Sequence, residues 1–335
     1  MSEMPLVLSM TAVQNFMRCK KMFEFDTMLH YQPKRDDVPG IVNFGSQFHA
    51  YMAHAAEYGE LPQPDGEPAY EVAAAYLAAH PLPEPNRILS IERGYFTEIA
   101  PGFHVRGSFD LVYYDDQDDY DPDYKKAVVQ DYKTFLKAPT PDVDMDFQAR
   151  VYLTIAEDNF KMPAKFRWVY ARQELGRFLT KKVRGESVAT WVPWDEEDLY
   201  PQPQELEMSE FERETTRREL YNVALDIQET LRHRRTYRVP NYREYGNGVC
   251  GGCFFKPICK ADWFGTLSDD ELDRLTDPYN PADRVDPRTM LDDPRVDWLI
   301  EERRFKIIDA VQAVYGVPGR AAVEAFWKDR KMVQL

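Results

Sequence analysis

Ala127-Val-Val-Gln-Asp-Tyr-Lys-Thr134 is the stretch on which the reading of this chain turns. Three apolar residues lead towards Asp131, Tyr132 and Lys133. The pattern predicts a short buried strand whose end carries a carboxylate and an amine. Residues two apart in a strand point to the same face, so Asp131 and Lys133 project together and Tyr132 projects the other way. Such a pair is either a surface ion pair, worth roughly 0–1 kcal/mol, or half of a metal-dependent phosphodiesterase site. The surrounding sequence decides between them.

Upstream, Asp110 ends Gly107-Ser-Phe-Asp110 in a second predicted strand. Phe109, Leu111 and Tyr113 share one face, and Ser108, Asp110 and Val112 share the other. Asp110 has apolar neighbours, and a buried carboxylate requires a partner or a metal. The acidic loop from Asp115 to Asp123 joins this strand to the next, so Asp110 and Asp131 can come opposite one another. Hard divalent ions such as magnesium take oxygen ligands and activate water against a phosphodiester. The Tyr132 carbonyl is a further candidate ligand, and Lys133 would orient the attacking water or stabilise the phosphorus centre. His49, on a helix with Phe44, Phe48 and Met52, is either a core residue or a nitrogen ligand. Gln148 and Tyr152 are four residues apart and share a helix face. They are either a helix surface pair or residues that position substrate or water beside the metal.

The wider pattern predicts helices over 10–30, 43–58 and 69–80, with Val13, Phe16, Met17 and Phe23 on the buried side of the first. Strands are expected over 87–99, 103–114 and 127–134, with Pro101-Gly102 as the turn between the first two. A helix over 143–160 with Phe147, Val151, Leu153 and Ile155 buried, strands over 164–172 and 177–193, and a long helix over 205–235 follow. Residues 268–335 read as helical segments broken by prolines. The fold class is α/β, a mixed sheet flanked by helices.

The chain has 335 residues, 44% of them hydrophobic, and a net charge of −15. That balance excludes a sequence-independent nucleic-acid coat protein, but an enzyme on nucleic acid needs only a local basic track. Arg232-His-Arg-Arg-Thr-Tyr-Arg238 is either that track, with Tyr237 and Tyr242 able to stack on bases, or a solvated helix end whose cations the helix dipole favours. There is no phosphate-binding Gly-x4-Gly-Lys-Ser/Thr loop. No apolar run reaches the roughly 18–20 residues that span a bilayer, and no signal peptide is visible, so a cytoplasmic protein without membrane contact is expected.

The four cysteines are Cys19, Cys250, Cys253 and Cys259. Three fall within ten residues as Cys-x2-Cys-x5-Cys, which suggests metal rather than disulfides. Four thiolates can hold zinc or an iron–sulfur cluster; the spacing leaves both open. Either would pin the first helix to the C-terminal segment and close a very long loop.

The ordered set Gly45-x3-His49, Gly107-x2-Asp110, Asp131-x-Lys133 and Gln148-x3-Tyr152 resembles the RecB-like branch of the PD-(D/E)XK nuclease superfamily. The cysteine pattern resembles its iron–sulfur subset, which includes CRISPR-associated RecB-like exonucleases, the AddB nuclease domain and phage exonucleases. The resemblance covers about residues 9–260. It implies a restriction-endonuclease-like mixed central sheet flanked by helices, with residues 1–262 as the nuclease domain and 263–335 as a mostly helical extension. It also implies a 4Fe-4S cluster on the four cysteines, dependence on Mg2+ or Mn2+, and cleavage of DNA, single-stranded or from ends, in recombination, repair or phage DNA processing. A helicase or recombination protein is the expected partner. By position, His49, Asp110, Asp131 and the Tyr132 carbonyl correspond to the metal ligands and Lys133 to the catalytic lysine. Gln148 and Tyr152 correspond to the family's Gln-x3-Tyr motif. Asp131 stands where many members have Glu, and the tail after 260 has no recognised counterpart. The alternative is a nucleic-acid-binding subunit of a recombination or CRISPR adaptation complex with a weak or vestigial site.

Overall fold

Strand β5 of the computed structural model runs Ala127–Phe135 and has both faces covered, with Ala127, Val128 and Val129 fully buried. Both of its edges are paired as well, one with an antiparallel and one with a parallel neighbour. The structure describes residues 4–34, 41–115, 125–136, 146–183, 186–233, 253–277, 287–303 and 306–315.

In chain order the first elements are β1 (Leu6–Ser9), α1 (Met10–Arg18), α2 (Lys20–Phe23), a π-helical turn (Glu24–Met28) and β2 (Gln32–Pro33). Helices α3 (Ile41–Tyr58) and α4 (Pro68–Ala79) follow, then strands β3 (Ile88–Ala100), β4 (Phe103–Tyr114) and β5. After α5 (Phe147–Phe160) come β6 (Ala164–Arg172), β7 (Gly176–Val183), β8 (Glu186–Pro193), α6 (Glu196–Leu199) and β9 (Gln204–Leu206). The remainder is α7 (Glu210–His233), α8 (Lys256–Trp263), α9 (Asp269–Leu275), β10 (Thr276–Asp277), α10 (Pro294–Glu301) and α11 (Ile307–Tyr315).

These elements form two compact units. The first comprises residues 1–37, 94–107 and 212–335, and the second residues 38–93 and 108–211. In the second unit, β5 pairs antiparallel with β4 and parallel with β6, and β6 pairs antiparallel with β9. The β7–β8 hairpin forms its own two-stranded sheet. Helices α3 and α4 pack their apolar faces together, joining Phe48, Tyr51, Met52, Val72, Tyr76 and the ring of Tyr132. In the first unit, β1 pairs parallel with Phe103–Arg106, the first part of β4. A separate core there gathers Met290, Val296, Ala310, Val311 and Tyr315. This is the expected mixed α/β sheet flanked by helices.

Local chemistry accounts for the boundaries. The Ser9 hydroxyl accepts the Ala12 amide at 3.1 Å and caps α1, and Asp146 accepts the Ala149 amide at 2.8 Å and caps α5; both satisfy orphan donors at a helix start. Gly102, at φ 78°, makes the β3–β4 turn.

Four expectations are corrected. The helix over 10–30 is not continuous: Cys19 is extended (φ −163°, ψ 115°) and a π-turn replaces the last stretch. Met17 is 53% exposed, because the break at Cys19 ends the apolar stripe one turn early. The strand over 177–193 is two strands folded into a hairpin. The long helix starts at Glu210, and Glu205 and Leu206 belong to β9. Residues 234–252, which carry most of the basic run, Tyr237, Tyr242 and Cys250, lie outside the described residues, as do residues 137–145 at the expected start of the helix over 143–160. Among the described residues, no helix is long and apolar enough to cross a membrane.

Phe48 is fully buried, with its ring edge-on to Tyr76 and Tyr132 at 6.2 and 6.0 Å. Phe48→Ala should cost about 3–5 kcal/mol of stability, read from the midpoint of urea unfolding.

Candidate active site

The antiparallel ladder between β4 and β5 runs from Tyr114↔Ala127 to Leu111↔Gln130. Beyond it, the Tyr132 amide donates to the Asp110 carboxylate at 2.7 Å. A side chain thus takes a main-chain hydrogen at the point where the strands part. The parallel pairing of β5 with β6 continues through Asp131↔Trp168, Tyr132↔Val169 and Lys133↔Tyr170. The strand end is therefore held on one side by backbone and on the other by a carboxylate.

Asp131 is buried and Lys133 Nζ lies 2.6 Å from its Oδ2. Tyr132 points the other way, into the aromatic cluster of Phe48 and Tyr76. Helix α3 brings His49, whose Nδ1 lies 3.3 Å from Asp110 Oδ2. Helix α5 brings Tyr152, whose hydroxyl shares hydrogen bonds with the Gln148 side chain and the Ser108 backbone. His49, Asp110, Asp131, Tyr132, Lys133, Gln148 and Tyr152 all belong to the second unit.

One residue was not anticipated. Glu92, in β3, has a carboxylate oxygen 3.8 Å from His49 Nδ1. One ligand atom each from His49, Glu92 and Asp110 lies within 4.8 Å of the others. Asp131 is not a member of this trio; its oxygen is engaged by Lys133. An acid inside the predicted strand 87–99 was the only signal for Glu92, and no motif marks it. Beside the trio lies a cavity of about 750 Å³. It is lined by Gly45, Ser46, His49, Glu92, Thr134 and Gln173.

The electrostatics follow from this crowding. Burial, then the charge of Asp110, push the Asp131 carboxyl up to about 6, against the pull of Lys133 and His49. Burial alone would lower His49, but the hydrogen bond and charge of Asp110, with Glu92 and Asp131, outweigh it and carry the imidazole up to about 9. Burial likewise opposes charge on Lys133, and Asp131 overrides it, so the amine is raised. Three acids face two cationic side chains. Two carboxylates and an imidazole at this spacing form a donor set that fits a hard or borderline divalent cation.

Cys19, Cys253 and Cys259 lie in the first unit. They carry thiols that are not joined as disulfides. Cys253 and Cys259 pack beside Phe25, Phe255 and Ile258.

Lys133→Met removes the nearest cation from Asp131. The Asp131 carboxyl should then titrate above its present value of about 6, because losing a positive neighbour favours the neutral acid. A carbon-detected NMR titration of the metal-free protein would read the shift, and an unchanged midpoint would contradict it.

The chain matches solved structures at low similarity. One is a candidate exonuclease from Eubacterium rectale, at 12% identity and a TM-score of 0.39, covering 70% of this chain and 85% of that one. Another is SSO0001, at 14% identity and a TM-score of 0.36, covering 80% and 90%. No curated protein matches. The family profile described as the PD-(D/E)XK nuclease superfamily matches residues 7–260, and that span holds every residue of the site: this chain belongs to the PD-(D/E)XK nuclease superfamily.

Proposed function

We propose that this protein is a divalent-metal-dependent deoxyribonuclease of the RecB-like branch, acting on single-stranded DNA or DNA ends. The observation that carries the reading is the convergence of Asp110, Asp131 and Lys133 at one strand end, with His49 3.3 Å from Asp110. In this reading His49, Asp110, Asp131 and the Tyr132 carbonyl hold Mg2+ or Mn2+. The cation supplies Lewis-acid polarisation of the phosphodiester and offsets charge at the leaving oxygen.

The protein's own residues do the remaining work. Lys133, kept protonated by Asp131, places a positive charge where the phosphorane charge develops. Asp131, besides its place on the cation, holds the lysine in position at 2.6 Å. Gln148 and Tyr152 orient substrate or water from the first turns of α5. The cavity beside His49 has room for a nucleotide.

The iron–sulfur assignment belongs to the same proposal. Cys19, Cys250, Cys253 and Cys259 form the donor set, and the pattern of one early cysteine with a distant Cys-x2-Cys-x5-Cys supports it. Residues 1–262 are the nuclease domain in this reading, and 263–335 an extension for partner binding or oligomerisation. A helicase or recombination protein fits as partner.

Asp131→Ala and Lys133→Ala should each lower cleavage by at least about a hundredfold with folding retained. A time course on end-labelled DNA with Mg2+ or Mn2+ measures this. Single- and double-stranded, linear and circular substrates separate end-dependent from internal cutting. Undiminished cleavage by both variants would refute the nuclease site. Protein that binds DNA and never cuts it would favour the vestigial alternative.

For the cysteines, a brown protein with visible charge-transfer absorption is expected, and Cys19→Ala should lose both colour and thermal stability. A colourless protein with stoichiometric zinc would decide against iron.

A further inference from the structure

We propose that Glu92 is a direct ligand of the catalytic cation, so that the site extends onto β3, beyond the His49, Asp110, Asp131 and Lys133 positions that the sequence motifs cover. This inference rests on the nuclease reading above and adds a residue to it.

Three observations carry it. The first is proximity: Glu92, His49 and Asp110 offer ligand atoms within 4.8 Å of one another. The second is direction: Glu92 and His49 both line the cavity of about 750 Å³. A cation held by this trio would have its open positions facing that cavity, where a phosphodiester can enter. The third is backbone. Glu92 adopts φ 45° within β3, a left-handed conformation that is uncommon for a residue with a side chain. Residues held in this way need compensation from their surroundings, and they collect at functional sites. From this position its carboxylate lies 3.8 Å from His49 Nδ1.

The geometry separates Glu92 from Asp131. Asp131 is bound by Lys133 at 2.6 Å and lies outside the trio. Asp110 is common to both groups: one of its oxygens meets His49 and the Tyr132 amide. Asp110 can therefore join the two groups, with Glu92 and His49 meeting the cation from the cavity side and Asp131 completing its ligands from the Lys133 side. A role limited to pairing with a protonated His49 explains the 3.8 Å approach, but it needs no left-handed backbone and no opening onto the cavity.

The test uses Mn2+ as probe on the full-length protein, with no DNA present. Free Mn2+ is followed by electron paramagnetic resonance, and melting temperature is followed with and without the ion. Glu92→Gln should weaken Mn2+ binding by at least about tenfold; a smaller change overturns the proposal. Glu92→Asp keeps the charge but withdraws the oxygens by one methylene. Ligation predicts that this variant also loses affinity, whereas simple attraction predicts wild-type affinity and would overturn the proposal. Glu92→Gly relieves the left-handed backbone. A ligand role predicts a metal-free melting temperature at or above that of the wild type, with a smaller rise on adding Mn2+. A structural role predicts a lower metal-free melting temperature and an undiminished rise, and would overturn the proposal. Wild-type protein that takes up no Mn2+ would overturn the metal-dependent nuclease reading and this one with it. Wild-type uptake with Glu92→Gln unchanged would overturn this one alone.

Discussion

The hydrogen bond from the Tyr132 amide to the Asp110 carboxylate sets the geometry of the site-bearing unit. It lies where the β4–β5 ladder stops after Leu111↔Gln130. A strand that leaves its neighbour exposes main-chain donors, and a buried donor without a partner costs about 1–3 kcal/mol. Asp110 removes that cost and in return is fixed in place. Its position then fixes His49 at 3.3 Å. Asp131 is the next residue along β5 from the end of the ladder, and Lys133 follows on the same face. The chemistry is therefore assembled at the frayed end of one strand pair, and the parallel partner β6 keeps that end from moving.

The burial of this strand end explains its charge balance. Asp131 is almost fully enclosed, and an isolated buried carboxylate would become neutral. Lys133 prevents that only in part, which leaves the carboxyl raised to about 6. His49 shows the opposite response: its surroundings hold a proton to about 9. The Asp131 shift comes first from burial and then from the charge of Asp110, and the His49 shift from the carboxylates around it. An arrangement of this kind is costly for the apo protein and favourable for a bound cation. The aromatic cluster on the other face of β5, built from Phe48, Tyr76 and Tyr132, supplies the packing that offsets it.

Much of this was legible in the residues. The run Ala127–Val129 announced a central strand, and the two-residue spacing put Asp131 and Lys133 on one face. The 2.6 Å contact between them and the inward turn of Tyr132 follow from that period alone. Pro101-Gly102 marked a real turn. The failures have physical causes. β1 and β9, of four and three residues, are too short to show a period, and each exists only because a longer strand offers it an edge. Cys19 breaks a helix whose apolar pattern runs on past it. The hairpin over 176–193 carries no Asn-Gly or Asp-Gly turn signal at its tip. Glu92 was invisible because its part in the site depends on a backbone angle, and backbone angles of this kind leave no mark on hydrophobic spacing.

The division of the chain between two units has a consequence for its birth on the ribosome. Residues 38–93 and 108–211 close the site-bearing unit, so all of its residues exist once position 211 has been synthesised. The other unit draws on residues 1–37, 94–107 and 212–335 and must wait for residues made after position 211. Strand β1 can meet Phe103–Arg106 early, but the core around Met290, Val296 and Tyr315 arrives late. Emerging chains fold as units in the order in which they are completed. The site-bearing unit can thus take shape while residues that complete its companion are still to be added.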